Sequence, residues 1–131
     1  MIRWLFSALI VSSICLPARA DFGAAERAYA NGDIEGALQE YEKRAAEGSG
    51  EALFTLGVIY ARGVDVPRDL IASYKWMCLA ASKGTEDAAR RAQILTRPLS
   101  HTEIRKAEEL AAQWLDENPQ GLPFKSCYRP S

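Results

Sequence analysis

The chain has 131 residues, of which 48% are hydrophobic, 25% are charged and 9% are aromatic, and its 16 basic and 17 acidic side chains nearly cancel. A single histidine excludes paired-histidine metal sites and the HExxH zinc motif. Because the charge is near neutral and not clustered, the composition argues against a nucleic-acid partner.

The first 20 residues have the pattern of a secretory signal peptide. A short basic start precedes the apolar run WLFSALIVSSICL, and PARA ends in alanines spaced for cleavage after Ala20. The run is too short to span a bilayer comfortably. A lipoprotein would instead use Cys15, but Ile14 stands where a small residue is expected. The sequence therefore predicts a cleaved signal and a periplasmic or secreted protein. Without Arg3 and Arg19, 14 basic and 17 acidic side chains remain.

Along the rest of the chain, apolar residues recur every three to four positions and β-branched residues are sparse, which predicts an all-α fold. Breaks that contain glycine, proline or a capping residue divide this pattern into six short helices. In chain order, the predicted helices cover about residues 22–30, 34–47, 51–62, 70–83 and 86–96, and the last one begins after Ser100.

The start of the sixth helix carries the clearest signal. Ser100 and Glu103 have the spacing of a capping box, and Leu99 and Ile104 flank them as a hydrophobic staple. The apolar stripe that follows is typical of a core-facing helix rather than of a cofactor site. Residues 117–131 contain three prolines, and we expect an extended tail there.

The breaks recur at a fixed distance along the chain. Asp33 and Asp69 are 36 residues apart, and so are Gly48 and Gly84. A period in the thirties with two helices per unit is typical of a helical-hairpin solenoid. The sequence therefore predicts a short right-handed α-solenoid of about three antiparallel hairpins.

The middle hairpin resembles the Sel-one-like repeats, which are relatives of the tetratricopeptide repeats. The pattern of that family is approximately A-x-x-x-L-G-x-x-Y-x-x-G-x-G-V-x-x-D, then A-x-x-W, A-A and a glycine. Asp65 replaces the second loop glycine, and Ser73 replaces the alanine before the tryptophan. The matching positions are Ala52, Leu56, Gly57, Tyr60, Gly63, Val66, Asp69, Trp76, Ala80, Ala81 and Gly84.

The units on either side match the family only in part. Glu26 stands where the first unit should have its tight-packing glycine, and the last unit lacks the Leu-Gly and Tyr positions. Both look like caps of one repeat domain over residues 21–116. The matching residues have structural roles: Gly57 lets two helices approach closely, while Tyr60 and Trp76 fill the seam between them.

The resemblance implies a non-enzymatic adaptor or scaffold of the bacterial cell envelope that holds a partner peptide or domain on its concave face. The first helix of each hairpin would line that face, with an apolar centre flanked by arginines that suits an extended peptide carrying acidic groups. The alternative is that Phe54 and Val58 pack under the terminal hairpins. The predicted partner-binding residues are Arg27, Glu51, Phe54, Val58, Arg62, Asp87, Arg90 and Ile94.

The sequence does not indicate catalysis, a metal site or a cofactor. His101 stands beside a helix cap, where a surface position is the simpler interpretation. Glu108 and Glu109 lie on the polar side of the last helix, and GSG lacks the lysine of a phosphate loop. We therefore predict a protein that is not an enzyme. The alternatives are a secreted hydrolase or enzyme inhibitor similar to cysteine-containing relatives, and a structural subunit of an envelope complex.

Two cysteines, Cys78 and Cys127, remain after signal cleavage. They do not form a CxxC pair, so thioredoxin-like chemistry is not indicated, but an oxidising compartment favours a disulfide. Cys127 lies in a tail with no other anchor, and residues 118–127 can span roughly 30 Å when extended. We predict a Cys78–Cys127 disulfide, with two free thiols as the alternative.

Overall fold

The computed structural model describes residues 22–120 and 124–128. Within these ranges the chain forms α-helices and no strand, which confirms the predicted all-α class. The predicted signal peptide over residues 1–20, including Cys15, lies outside the described residues, as does part of the predicted tail. The helices are α1 (Phe22–Ala30), α2 (Ile34–Ala46), α3 (Gly50–Arg62), α4 (Leu70–Ser82), α5 (Glu86–Leu95) and α6 (His101–Glu117).

The residues that break the pattern cap the helices. Asp33 and Asp69 precede α2 and α4, and each carboxylate accepts a hydrogen bond at 2.9 Å from the backbone N–H three residues later. Gly48 and Gly84 follow the same two helices with φ of +96° and +90°, a region that favours glycine. Helix α2 begins at residue 34 and α4 at residue 70, so the 36-residue spacing of the breaks is also the spacing of these helices.

The capping box predicted for α6 is confirmed. Ser100 Oγ accepts a hydrogen bond from the Glu103 N–H at 3.2 Å, and Glu103 Oε2 accepts one from the Ser100 N–H at 2.7 Å. Because it stabilises the carboxylate, the hydrogen bond from the Ser100 N–H holds the pKa of Glu103 below its ordinary value. The flanking Leu99 and Ile104 are both buried.

Helix α4 is the centre of the packing. Each of the first four helices packs against the next one in the chain, and α4 also contacts α6. The ring of Trp76 on α4 meets that of Trp114 on α6 edge to face, with centroids 5.4 Å apart. Lys75 Nζ lies 4.1 Å from the Trp76 ring centroid. Helix α6 thus packs mainly on α4, whereas a regular third hairpin would pair it with α5.

Helices α3 and α4 approach each other closely at Gly57. A Cβ added to Gly57 would lie 2.8 Å from Met77 Cε, so the α3 backbone rests directly on that side chain. Ser73 Oγ donates a hydrogen bond at 2.7 Å to the Gly57 carbonyl oxygen. Ser73 is fully buried, and this hydrogen bond satisfies its hydroxyl. The fully buried side chains of greatest volume are Tyr74, Leu53, Leu56, Met77 and Leu79.

The chain beyond α6 returns over the helices. Gln120 Nε2 donates a hydrogen bond at 2.6 Å to the Ala45 carbonyl oxygen near the end of α2. Further along, the sulfur atoms of Cys78 and Cys127 lie at disulfide distance, with their Cα atoms 5.7 Å apart. The tail is therefore anchored at two points. Among the described residues, no helix combines the length and the apolar character needed to cross a membrane.

Candidate partner-binding surface

A groove of about 390 Å³ lies between α3 and α5, above α4. Its floor includes the buried side chain of Met77. Ile94 is 53% exposed, and the two neighbouring arginines of α5 are exposed. The groove therefore combines an apolar interior with a cationic rim. Its lining residues are Ala61, Ser73, Met77, Asp87, Arg90, Arg91, Ile94 and Leu95.

Three of the predicted partner-binding residues, Asp87, Arg90 and Ile94, line this groove. Arg90 Nη1 lies 3.5 Å from Asp87 Oδ1, one helical turn away, and both side chains are about 70% exposed. An ion pair this exposed contributes little to stability. Arg90 can therefore exchange this carboxylate for one from a ligand at small cost.

Phe54 connects α3 to the rim of the groove. Its ring is half-buried and packs on the core, and the guanidinium carbon of Arg91 lies 5.2 Å from the ring centroid. This distance is typical of a cation–π contact. The 36-residue period pointed to Arg90 and not to Arg91, because the sequence of two adjacent arginines does not show which one faces the aromatic ring.

Val58 and Arg62 line a second cavity of about 180 Å³, on the α1 and α2 side of α3. Val58 is half-buried and packs on the core. Tyr41 also lines this cavity, and burial raises its pKa. Tyr29, across the cavity, donates a hydrogen bond to Asp65 in the loop between α3 and α4. The predicted stripe is thus divided between two cavities.

The remaining two predicted residues, Arg27 and Glu51, are exposed and line neither of these two cavities. Arg27 lies in the last turn of α1, and Glu51 lies in the first turn of α3. The structure therefore divides the predicted stripe between two cavities and leaves Arg27 and Glu51 outside both.

The predicted structural positions lie in the core or at helix ends. Leu56 and Ala80 are fully buried, and Trp76 is 4% exposed. Tyr60 is half-buried and packs against the same core. Gly63 ends α3 with φ of +62°. None of these side chains is among the residues that line the groove between α3 and α5.

Two polar side chains of α6, one glutamate and the histidine, contact the tail. Glu108, which the sequence analysis placed on a solvated face, is half-buried and accepts hydrogen bonds from Ser126 Oγ at 2.6 Å and from the Tyr128 N–H at 3.3 Å. The exposed ring of His101 has its centroid 5.9 Å from that of Tyr128. In the described part of the chain, no group of three or more His, Cys, Asp or Glu residues is arranged to hold a metal ion.

Apolar and cationic groups thus converge on the groove between α3 and α5. No family model, no curated protein and no solved structure matches this chain.

Proposed function

We propose that this chain is a non-enzymatic protein-interaction module, an adaptor or scaffold of a bacterial cell envelope, that binds an extended partner peptide along α1, α3 and α5. The observation that carries the proposal is the groove between α3 and α5, where Ile94 and Met77 lie beside Arg90 and Arg91. A protein surface that offers an apolar pocket with a cationic rim suits a ligand that presents an apolar side chain next to a carboxylate.

The proposal includes a short right-handed α-solenoid of Sel-one-like hairpins, with α1, α3 and α5 on one face. Its support is the common offset of two helix pairs. Helices α2 and α4 begin at residues 34 and 70, and α3 and α5 begin at residues 50 and 86, so both offsets are 36 residues. Ala52 and Ala88, one offset apart, are both fully buried.

The chemistry of the ligand follows from the rim. The planar guanidinium groups of Arg90 and Arg91 each offer several donors, which suits bidentate binding of a carboxylate. The exposed part of Ile94 provides apolar area beside them. We therefore propose a protein or peptide partner with an acidic residue close to an apolar anchor, and not a nucleic acid, a cofactor or a metal ion.

The proposed location is the periplasm or the extracellular medium, after removal of the signal peptide and without membrane insertion. The disulfide distance between Cys78 and Cys127 supports an oxidising compartment, where such bonds persist.

The test is site-specific crosslinking in the native envelope. A photo-crosslinker at Ile94 should capture a partner, whereas the same group at Arg105, on the exposed side of α6, should not. The captured protein is then titrated with purified wild-type chain and with the double variant Arg90→Glu and Arg91→Glu, which reverses the two charges of the rim. We expect the double variant to weaken binding at least about tenfold, the scale of one lost charge-assisted contact.

The matched control is the charge reversal of Arg105 and Lys106, two exposed cations of α6. It changes the net charge equally but leaves the groove intact, so binding should stay close to that of the wild type. Equal binding by the groove variant and the wild type would contradict the proposal, provided that circular dichroism shows both proteins to be folded.

A further inference from the structure

Residues 124–128, which we call the strap, lie across α4 and α6. Phe124, Cys127 and Tyr128 are half-buried and pack against the core, whereas Lys125 and Ser126 are exposed. Cys127 is joined to α4 through Cys78. The strap therefore covers part of the surface between these two helices.

The surface under the strap contains chemically distinctive groups. Cys78 is 1% exposed, and Tyr74, one helical turn earlier on α4, is fully buried. The Tyr74 hydroxyl has no hydrogen-bond partner among the described residues. Burial, together with the nearby Glu108 and Tyr128, raises the pKa of Tyr74 and keeps the hydroxyl neutral. A buried hydroxyl without a partner gains hydration when the site opens, which lowers the cost of opening.

Besides its half-buried side chains, the strap is held by hydrogen bonds to one side chain of α6. Both of its hydrogen bonds to α6, from Ser126 Oγ and from the Tyr128 N–H, end on the same oxygen of Glu108. The Ser126 bond is exposed to solvent, where hydrogen bonds contribute least. Segments with few buried contacts and exposed hydrogen bonds open locally at low free energy. The bond between Cys78 and Cys127 is therefore the principal restraint.

We propose that the strap is a redox-controlled cover, which a dithiol reductant releases to expose the surface of α4 and α6 around Tyr74 and Cys78. This inference is independent of the groove between α3 and α5. It requires only the tail, α4 and α6.

The opening reaction is a thiol–disulfide exchange. A thiolate of the reductant attacks the sulfur of the half-buried Cys127, since Cys78 is inaccessible. The bond between the two cysteines breaks, and Cys78 leaves as a thiolate that takes a proton from solvent. The second thiol of the reductant then displaces Cys127, which also becomes a thiol, while the reductant forms its own disulfide. Two electrons and two protons pass from the dithiol to the protein.

The test compares trypsin cleavage after Lys125 in the oxidised mature protein and after treatment with dithiothreitol, with products separated by mass under denaturing, reducing conditions. We expect cleavage at Lys125 to become at least about tenfold faster on reduction, because the strap then opens without breaking a covalent bond. Iodoacetamide should label Cys78 in the same native, reduced sample. The Cys127→Ser variant should reproduce both results without reductant.

The sites after Arg105 and Lys106, within α6, serve as internal references and should be accelerated much less than the site after Lys125, which reduction frees directly. The oxidised Glu108→Gln variant should keep Lys125 protected, because the covalent bond remains. Unchanged cleavage at Lys125 on reduction would show that non-covalent contacts hold the strap. Equal acceleration at Arg105 would show that the disulfide stabilises α6 itself. Either result overturns the proposal.

Discussion

At Gly57 the backbone of α3 lies against the side chain of Met77 on α4, and this contact gives a prediction for a single methyl group. In Gly57→Ala the new Cβ would lie 2.8 Å from Met77 Cε and 3.0 Å from its Cγ. Met77 is 1% exposed, and because its Sδ would also lie 3.1 Å from the new Cβ, moving Cε alone would not relieve the contact. We expect a loss of about 1–3 kcal/mol in the free energy of unfolding from overpacking, measured by urea denaturation.

The control for this substitution is Gly23→Ala in α1. There the new Cβ would meet only the side chain of Arg27, which is exposed and can rotate away. We expect a change of less than about 1 kcal/mol, within the range of helix propensity. A Gly57→Ala protein as stable as the Gly23→Ala protein would contradict the close contact between α3 and α4.

The capping box of α6 predicts a pH dependence. Hydrogen bonding from Ser100, above all from its backbone N–H to Glu103 Oε2, lowers the pKa of Glu103 from its ordinary value of 4.5. A carboxyl group whose pKa is lower in the folded state stabilises the protein above the unfolded pKa, and this contribution is lost as the pH falls through the folded pKa. We therefore expect the Glu103→Gln variant to have a lower Tm than the wild type at pH 7. The difference between the two Tm values should become smaller below about pH 4.

Thermal unfolding followed by circular dichroism between pH 7 and pH 3 measures this effect. The control is Glu109→Gln, which removes a charge from the exposed side of α6 outside the cap, where Arg105 Nε is 3.9 Å away. If the two variants had the same pH profile, Glu103 would not be acting through the cap.

Single residues were predictable where their chemistry is local. Ser100 and Asp69 were identified as helix caps from the residues around them, because a cap depends on hydrogen bonds to residues three positions away. Tyr74 was not singled out, although it is fully buried. Its burial depends on α6 and the tail, which lie far along the chain. The contact of Arg91 with Phe54 depends in the same way on how α5 packs against α3.

At the scale of helices, the sequence predicted where each helix lies along the chain better than it predicted which helices pack together. The predicted bounds of α1 and α5 agree with the structure to within one residue, because Gly, Pro and capping residues punctuate the chain. The apolar stripe of α6 correctly marked Ile104 and Ala107 as buried but wrongly included Leu110, which is 36% exposed. Such a stripe shows which face of a helix is buried but not which helix covers it. The packing of α6 on α4, rather than on its neighbour α5, therefore required the structure.

The contact between α4 and α6 predicts the effect of losing Trp76. This side chain is 4% exposed and meets Trp114 edge to face. Trp76→Ala should cost about 3–5 kcal/mol, because it removes buried surface and leaves a cavity. In a domain whose free energy of unfolding is about 5–15 kcal/mol, this loss produces marginal folding or none. Tm and urea midpoints of the purified variant measure it.

A double-mutant cycle isolates the contribution of the ring pair. With Trp76→Leu and Trp114→Leu, both positions keep apolar volume, and we expect a coupling energy of about 0.5–1.5 kcal/mol from the edge-to-face contact. A Trp76→Ala protein with nearly wild-type melting, or strictly additive leucine substitutions, would show that α6 does not depend on this contact.

For the whole molecule, the C-terminal segment joins helices that are distant in the chain. Gln120 connects the end of α6 to the end of α2 through the Ala45 carbonyl oxygen, and Cys127 connects the tail to α4. The sequence predicted the second connection, since two cysteines in an oxidising compartment leave one pairing. The connection through Gln120 carried no signal, because a glutamine side chain does not specify its partner. The groove was also predicted only in part. The spacing identified Ile94 and Arg90, but it did not show that the predicted partner-binding residues of α3 and α5 line two separate cavities.

We expect the Cys78–Cys127 connection to stabilise the whole domain and not only the tail. The two residues are 49 positions apart, and closing a loop of this length is worth about 4 kcal/mol in the chain-entropy model. Ordering the five strap residues costs about 1–2 kcal/mol of conformational entropy per residue. The two hydrogen bonds to Glu108 contribute about 0.5–1.5 kcal/mol each and do not offset this cost. We therefore expect Cys127→Ser to lose about 2–4 kcal/mol of unfolding free energy under oxidising conditions while retaining the helical circular dichroism spectrum. Ser126→Ala, which removes one hydrogen bond but keeps the disulfide, should lose no more than about 1 kcal/mol. Urea denaturation of both variants beside the oxidised wild type decides: a Cys127→Ser protein as stable as wild type would mean that the cysteines are not paired in solution.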